Sequence, residues 1–376
     1  MDRGEPNHRL ATARPASGPA ATEAGPPVEH VARDWERRLF QRCRRAWDLG
    51  ARDRRNLVPA SGDASAAVVR AIRDALAVYY FPGMWGWDRT IVQGLTLKAL
   101  RRTLETEATR IREGAGHFEE AAWETARQDA DDLLRHYFDW APTVDRLEPL
   151  RVEAEFDVPI PDADDPDHDL TSADGGRCRY GGRIDMLVVD PTGAIWVAAH
   201  RILPHRRATL TELLMDDDLL SKAWAWQRNV LATRIAGTIH TEVGPGPEPP
   251  GTDDELMPAG VIRSEAGPFR RTWIPRAQAA YAAVGRIVGQ QALRMADPMV
   301  AVDPSPGPDV CPACPYLAPC VMMFQGLPPE AMLRAEFMER PQPESEPGRL
   351  GNVSWSIGRG AAPPRFGTGR GSKDRG

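Results

Sequence analysis

The sequence predicts an α/β protein of the α+β kind, with helices packed on a mixed sheet. Three observations carry this. Between Trp35 and Trp140 apolar residues recur at three- and four-residue steps, the helical period. From Leu150 to Ile202 the period changes to two and turn residues divide it into strands. Beyond that, helical and strand patterns alternate as far as Met295.

Taken in order, Trp35 to Ala51 reads as a helix, with Trp35, Leu39, Cys43 and Trp47 at four-residue steps. Ala64 to Tyr80 reads as a second, stopped by Phe81-Pro82-Gly83. Ile91 to Ile111 and Phe118 to Trp140 read as long helices. LRVEAEFDVPI (Leu150 to Ile160), RCRYGGRIDMLVV (Arg177 to Val189) and AIWVAAHRI (Ala194 to Ile202) read as a three-stranded meander, the last two joined by the turn Asp190-Pro191-Thr192-Gly193. A helix from Thr211 to Leu231 follows, then strands at Ile235 to Val243, Gly260 to Ser264 and Phe269 to Ile274, and a helix from Arg276 to Met295.

The composition suits a soluble globular chain. Of 376 residues, 42% are hydrophobic and 27% charged, enough for a full core and unlike a disordered, fibrous or disulfide-framework protein. No run of about 18 apolar residues exists, so no membrane span is expected, and the N-terminus lacks the apolar stretch of a secretory signal. The expected location is cytoplasmic. The net charge of −6 gives no global nucleic-acid signature, which leaves room only for a local basic surface. Residues 1–32 and 339–376 are rich in Pro, Gly and Ala and are expected to be disordered tails around one domain, 33–338. The last stretch carries Arg359, Arg365, Arg370, Lys373 and Arg375 against Asp374, which fits a solubilising tail or a weak nucleic-acid-binding arm. The acidic run Asp162 to Asp169 lacks the Gly and Glu positions of an EF-hand and reads as a solvated hairpin loop.

Cys311, Cys314 and Cys320 form C-x2-C-x5-C, a spacing for metal or cluster ligands rather than disulfides in a reducing compartment. Three thiolates leave a four-coordinate site one ligand short. Cys43, beside Arg42, Arg44 and Arg45, is the natural fourth, whereas Cys178 on a strand reads as a core cysteine. The same four sulfurs suit an iron–sulfur cluster or zinc.

Cys43 near the start, GGRIDMLVVDPTGAIWV in mid-chain and the terminal C-x2-C-x5-C, in that order, resemble the RecB-like branch of the PD-(D/E)XK nuclease superfamily. More narrowly, they resemble its four-cysteine iron–sulfur exonucleases, over about residues 35–325. The resemblance implies a restriction-endonuclease-like core and a 4Fe-4S cluster (alternatively zinc) on Cys43, Cys311, Cys314 and Cys320. It implies DNA as ligand, with a helicase or nuclease as partner protein.

In that family Mg²⁺ or Mn²⁺ polarises the scissile phosphate and is held by hard oxygen ligands. An Asp sits at the end of one strand, and an acid and a Lys two apart share a face of the next. Gly182 and Asp185 match the first motif. The second reads Ala199-His200-Arg201, so the acid is missing and the Lys has become an Arg that cannot act as a base. The helical Gln-x-x-x-Tyr, which helps hold DNA, has Asp218 and Lys222 in its place.

Two rescues are open. Glu153 or Glu155 on the preceding strand would join Asp185 as ligand, or the acid has migrated to Glu212, Asp216 or Asp217 on the helix. Arg201 would steady phosphate charge. Arg206 and Arg207 in a loop, and Arg270 and Arg271 in the basic–aromatic FRRTWIPR run, are the candidate DNA contacts. Because the departures fall together at chemical positions, the expectation is a degenerate, non-cleaving protein that binds DNA or a partner. The alternatives are an active Mg/Mn-dependent DNA exonuclease and a zinc-stabilised scaffold without a nucleic-acid role.

Overall fold

The period-two segment of the chain forms the middle of a mixed sheet, and helical segments cover both its faces. The structure is a computed structural model that describes residues 28–114, 118–202, 207–229, 234–244 and 258–340. The first half of the chain gives β1 (Glu29–Arg33), α1 (Asp34–Arg42), α2 (Arg44–Gly50), β2 (Leu57–Pro59), α3 (Ala64–Tyr79), α4 (Arg89–Glu113) and α5 (Glu120–Val144). The meander is β3 (Glu148–Pro159), β4 (Arg177–Val189) and β5 (Ile195–Ile202). Then come α6 (Leu210–Leu214), α7 (Asp217–Asn229), β6 (Ile235–Val243), β7 (Ile262–Ala266), β8 (Phe269–Pro275) and α8 (Gln278–Ala296). The described chain closes with α9 (Leu317–Phe324), α10 (Glu330–Glu336) and β9 (Phe337–Glu339).

The seven-stranded sheet runs β1-β4-β5-β6-β8-β7, with β3 along the other side of β4. The pairs β3–β4 and β4–β5 are antiparallel, and β5 meets β6 in parallel. On one face α3, α4 and α5 bury Leu76, Leu100, Leu134 and Tyr137 against Met186, Val188 and Ala198. On the other, α7 and α8 bury Trp224, Tyr281 and Val288 against Tyr180, Leu187 and Val197. Each such side chain contributes roughly 1.5–3 kcal/mol by leaving water, which is why the alternating strand sequence holds its register. A small lobe packs Cys43, Ala46 and Leu49 against Tyr316, Leu333 and Phe337 beside the antiparallel pair β2–β9. No helix among the described residues is long and apolar enough to cross a membrane.

Four boundaries differ from the sequence reading. Residues 29–32, expected in a disordered tail, form β1 together with Arg33 and pair in parallel with Arg177–Gly181 of β4. At the other end β9 runs to Glu339 and Arg340 donates its backbone N–H to the Asn56 carbonyl at 2.7 Å, so order extends past 338. The remainder of both expected tails lies outside the described residues. The first expected helix is broken at Cys43, whose backbone is extended (φ −164°, ψ 116°). The helix expected over 211–231 is broken at Met215–Asp216. Asp216 caps α7, its carboxylate accepting from the Asp218 and Leu219 N–H groups at 3.1 and 3.3 Å. This is the role an Asp before a helix most readily takes.

Candidate functional site

Gly182, Asp185 and the neighbouring strand ends place a cluster of charged side chains where α1 and α7 meet the sheet. A Cβ on Gly182 would lie 2.8 Å from Cβ and Cγ of Asp34 and from a ring carbon of Phe156, so the glycine makes room for Asp34 at the start of α1. Three residues on, the half-buried Asp185 accepts the backbone N–H of His200 at 2.9 Å. Opposite it on β3 stands Glu153, between the register pairs Val152–Met186 and Ala154–Ile184. Glu153 has φ +48° and pairs with Arg183 at 2.9 Å. Burial above all lifts its carboxyl to about 7, Arg183 opposes this, and the negative charge of Asp185 adds to it. Glu155 is exposed and lies in register with Arg183. The left-handed residue interrupts the pleat, so the two glutamates do not act as the same-face pair their spacing suggested.

The helix supplies the other half of the cluster. Lys222 on α7 is buried and places Nζ 3.1 Å from Asp34 and 3.4 Å from Asp218. Burial works against its charge, but Asp218 and Asp34 outweigh that, with Asp185 adding, and its pKa is raised. For Asp218, burial works the other way but Lys222, Arg38 and Arg37 outweigh it and hold the carboxyl below its usual range. Arg38 reaches Asp218 at 3.3 Å, and the fully buried Arg37 holds Asp217 (3.0 Å), Gln291 (2.9 Å) and Ser221 (2.8 Å).

The other expected site residues have different partners. Arg201 pairs with Asp216 at 3.3 Å, and the buried His240, in register with Ala199, places Nδ1 3.6 Å from the same carboxylate. Glu212 closes a capping box with Thr209 at the start of α6. Of the migrated acids considered from the sequence, none reaches Lys222; Asp218 and Asp34 do. Asp34 was not singled out by sequence because an acid in a first helical turn is ordinary there.

His200 points to the opposite face. Its Nε2 lies 3.2 Å from the Tyr137 hydroxyl, and burial pushes its pKa down to about 3. Behind it Arg271 bonds the Tyr80 and Tyr137 hydroxyls (3.0 and 3.2 Å) and Thr241 (3.0 Å), and pairs with Asp145.

The expected DNA-contacting arginines are therefore corrected. Arg270 and Arg271 are 0% and 1% exposed, one paired with Glu242 and the other with Asp145. β8 lies between β6 and β7 with both faces covered, so its basic residues point into protein instead of a groove. Arg207 is buried against the Gly267 carbonyl and Glu265. Arg206 lies outside the described residues.

The cysteines gather in the small lobe. Cys43, at the α1–α2 break, accepts the Ser305 N–H at 3.5 Å, and its neighbour Arg42 donates to the Val310 carbonyl at 2.7 Å, next to Cys311. Cys314 packs in the same apolar cluster as Cys43. Burial raises its thiol pKa, and both Cys43 and Cys320 lie close enough to add to the rise. The donor chemistry is that of a soft four-sulfur site. Among the described residues no group of three or more Cys, His, Asp or Glu stands at metal-holding spacing. The same holds for the acids, where Arg183 pairs with Glu153 and the Lys222 charge lies near Asp185. Cys178 is fully buried in the sheet, away from this lobe.

No family model and no curated protein matches the chain. A solved structure described as "Crystal structure of SSO0001" is similar at 10% identity and a TM-score of 0.28, over 68% of this chain and 93% of that one. That likeness is too distant to add to the geometry.

Proposed function

We propose that this chain is a degenerate RecB-like PD-(D/E)XK nuclease-fold protein that binds DNA without cleaving it. The observation that carries this is the Lys222 ammonium seated between Asp34 and Asp218 beside Asp185, with Ala199 where the family has its second acid. A cation built into the protein takes the place in which an oxygen-ligated divalent ion would be needed. What supports the family is the mixed sheet carrying Gly182 and Asp185, with Cys43 brought to the terminal cysteines. Cys43, Cys311, Cys314 and Cys320 would hold a 4Fe-4S cluster, or zinc, which would cross-link the α1–α2 junction to the C-terminal loop. A helicase or nuclease is the partner class that a non-cleaving subunit would serve.

The test is fluorescence anisotropy with single- and double-stranded DNA, alongside a degradation assay in Mn²⁺. Saturable binding without degradation, retained in Asp185→Ala, is the expected result. The second reading, an active Mg/Mn-dependent exonuclease, is favoured by one observation, the placement of Glu153 opposite Asp185. Mn²⁺-dependent degradation that disappears in Asp185→Ala would establish it and overturn the first.

A further inference from the structure

The cations around Cys43 are not matched by acids. Arg42 donates to the Val310 carbonyl at 2.7 Å and Arg45 to the Val302 carbonyl at 3.4 Å, so both hold backbone instead of carboxylates. Arg44, at the start of α2, lies over the Phe40 ring with its guanidinium carbon 5.4 Å from the centroid. Among the described residues none of these three, nor Arg294 in the last turn of α8, forms an ion pair with a carboxylate. The chain carries a net charge of −6, and nearby arginines such as Arg37, Arg38 and Arg54 are each paired with an Asp. The Cys43 region is therefore a local excess of positive charge on an acidic protein.

Two of these cations line the same hollow. Arg44 and Arg294 border a cleft of about 380 Å³ between α1, α2 and the end of α8, together with Phe40, Gln291, Asp303 and Ser305. Arg37 can only donate, so Gln291 turns its carbonyl to it at 2.9 Å, and the Gln291 amide nitrogen is left to donate elsewhere. Ser305 is exposed, and its backbone N–H is fixed on Cys43 at 3.5 Å. Asp303 is the one acid lining the cleft; it is exposed, so water screens its charge, and the two guanidinium groups leave the cleft net positive. Arg294 suits the negative end of α8, but a helix end takes up little of a fork of five N–H donors. Stacking on Phe40 restricts Arg44 before any ligand arrives, which lowers the entropy lost on binding. Guanidinium forks, an amide and a hydroxyl are a donor set for an oxyanion. Phosphate, with its oxygens arranged tetrahedrally, can be met by two forks from two sides at once.

We propose that this cleft is a phosphate-binding site, in which Arg44 and Arg294 hold a backbone phosphate of bound DNA. It deepens the proposed function and rests on that reading only for the source of the phosphate.

Fluorescence anisotropy of the full-length protein with a labelled single-stranded oligonucleotide, over a salt series, tests it. Arg44→Gln combined with Arg294→Gln should weaken binding at least ~10-fold at about 0.1 M salt, and make the salt slope shallower by about 0.7 for each cation removed. Arg44→Lys combined with Arg294→Lys keeps both charges and should keep the slope. Arg102→Gln, which removes an exposed arginine on α4, should bind as the parent does. An unchanged affinity and slope in the double Gln variant overturns the site while leaving DNA binding in place. A parent that binds no DNA overturns the DNA reading, and calorimetry with inorganic phosphate at constant ionic strength then decides the cleft. Saturable heat lost in the double Gln variant assigns it to a free phosphate compound, and absence of saturable heat in the parent overturns it.

Discussion

Replacing Glu153 by Gln should change how stability depends on pH, and the structure fixes the direction. The Glu153 carboxyl is lifted from 4.5 to about 7, chiefly by burial, with Asp185 opposite adding to the rise against Arg183. A carboxyl raised in the folded state binds its proton more tightly there than in the unfolded chain. Stability is therefore greatest below the unfolded value near 4.5 and declines as pH rises through about 7. At 1.36 kcal/mol per pH unit the decline amounts to about 2–4 kcal/mol. The side chain is 20% exposed, so little of this is screened by water. Gln stays neutral throughout, and the ion pair it forfeits involves a half-exposed Arg183, worth under about 1 kcal/mol. Urea denaturation of both proteins at pH 5, 6, 7 and 8 gives the comparison. Glu153→Gln should gain on the parent between pH 5 and 7 and the gain should level off toward pH 8. Asp185→Asn, which removes the facing charge, should flatten the parent's slope. Parallel stability curves for parent and Glu153→Gln would refute the raised Glu153 carboxyl, and an unchanged slope in Asp185→Asn would refute the contribution of Asp185 to it.

Asp145→Ala strands the Arg271 guanidinium, which is 1% exposed, and should cost about 3–5 kcal/mol in denaturant unfolding, against little for a well-packed apolar replacement of both partners. Gly182→Ala brings a methyl to 2.8 Å from Asp34, and the forced shift should destabilise the fold by about 1–3 kcal/mol by the same measurement. Protein purified without oxygen should carry iron or zinc by elemental analysis, and Cys43→Ser and Cys314→Ser should each lose it. A metal-free parent with an intact fold would contradict the four-sulfur site.

The meander was legible because β3, β4 and β5 alternate apolar and polar residues between strong turn signals. Residues 29–33 were not, since five residues between a Pro/Gly-rich stretch and the start of α1 carry too little pattern to signal a strand whose stability comes from pairing with β4. The breaks at Cys43 and Met215–Asp216 hid inside unbroken apolar periodicity. The second had a visible signal in Asp216-Asp217-Asp218, a cap followed by first-turn acids. Arg270 and Arg271 misled because a basic run reads as surface unless its acid partners are known. Glu242 and Asp145 lie far off in sequence. For the same reason Lys222 stood out only as a departure from a motif, while its position between Asp34 and Asp218 required α1 and α7 to be brought together.

Titration calorimetry of Mn²⁺ into the chelator-washed protein, with Asp185→Ala and Lys222→Met in parallel, asks most directly whether an internal ammonium has replaced the metal. Heats that never saturate in the parent, and are unchanged by Asp185→Ala, are expected if Lys222 satisfies these acids. A saturable site in the parent that Asp185→Ala abolishes would show that the acids serve a divalent ion after all.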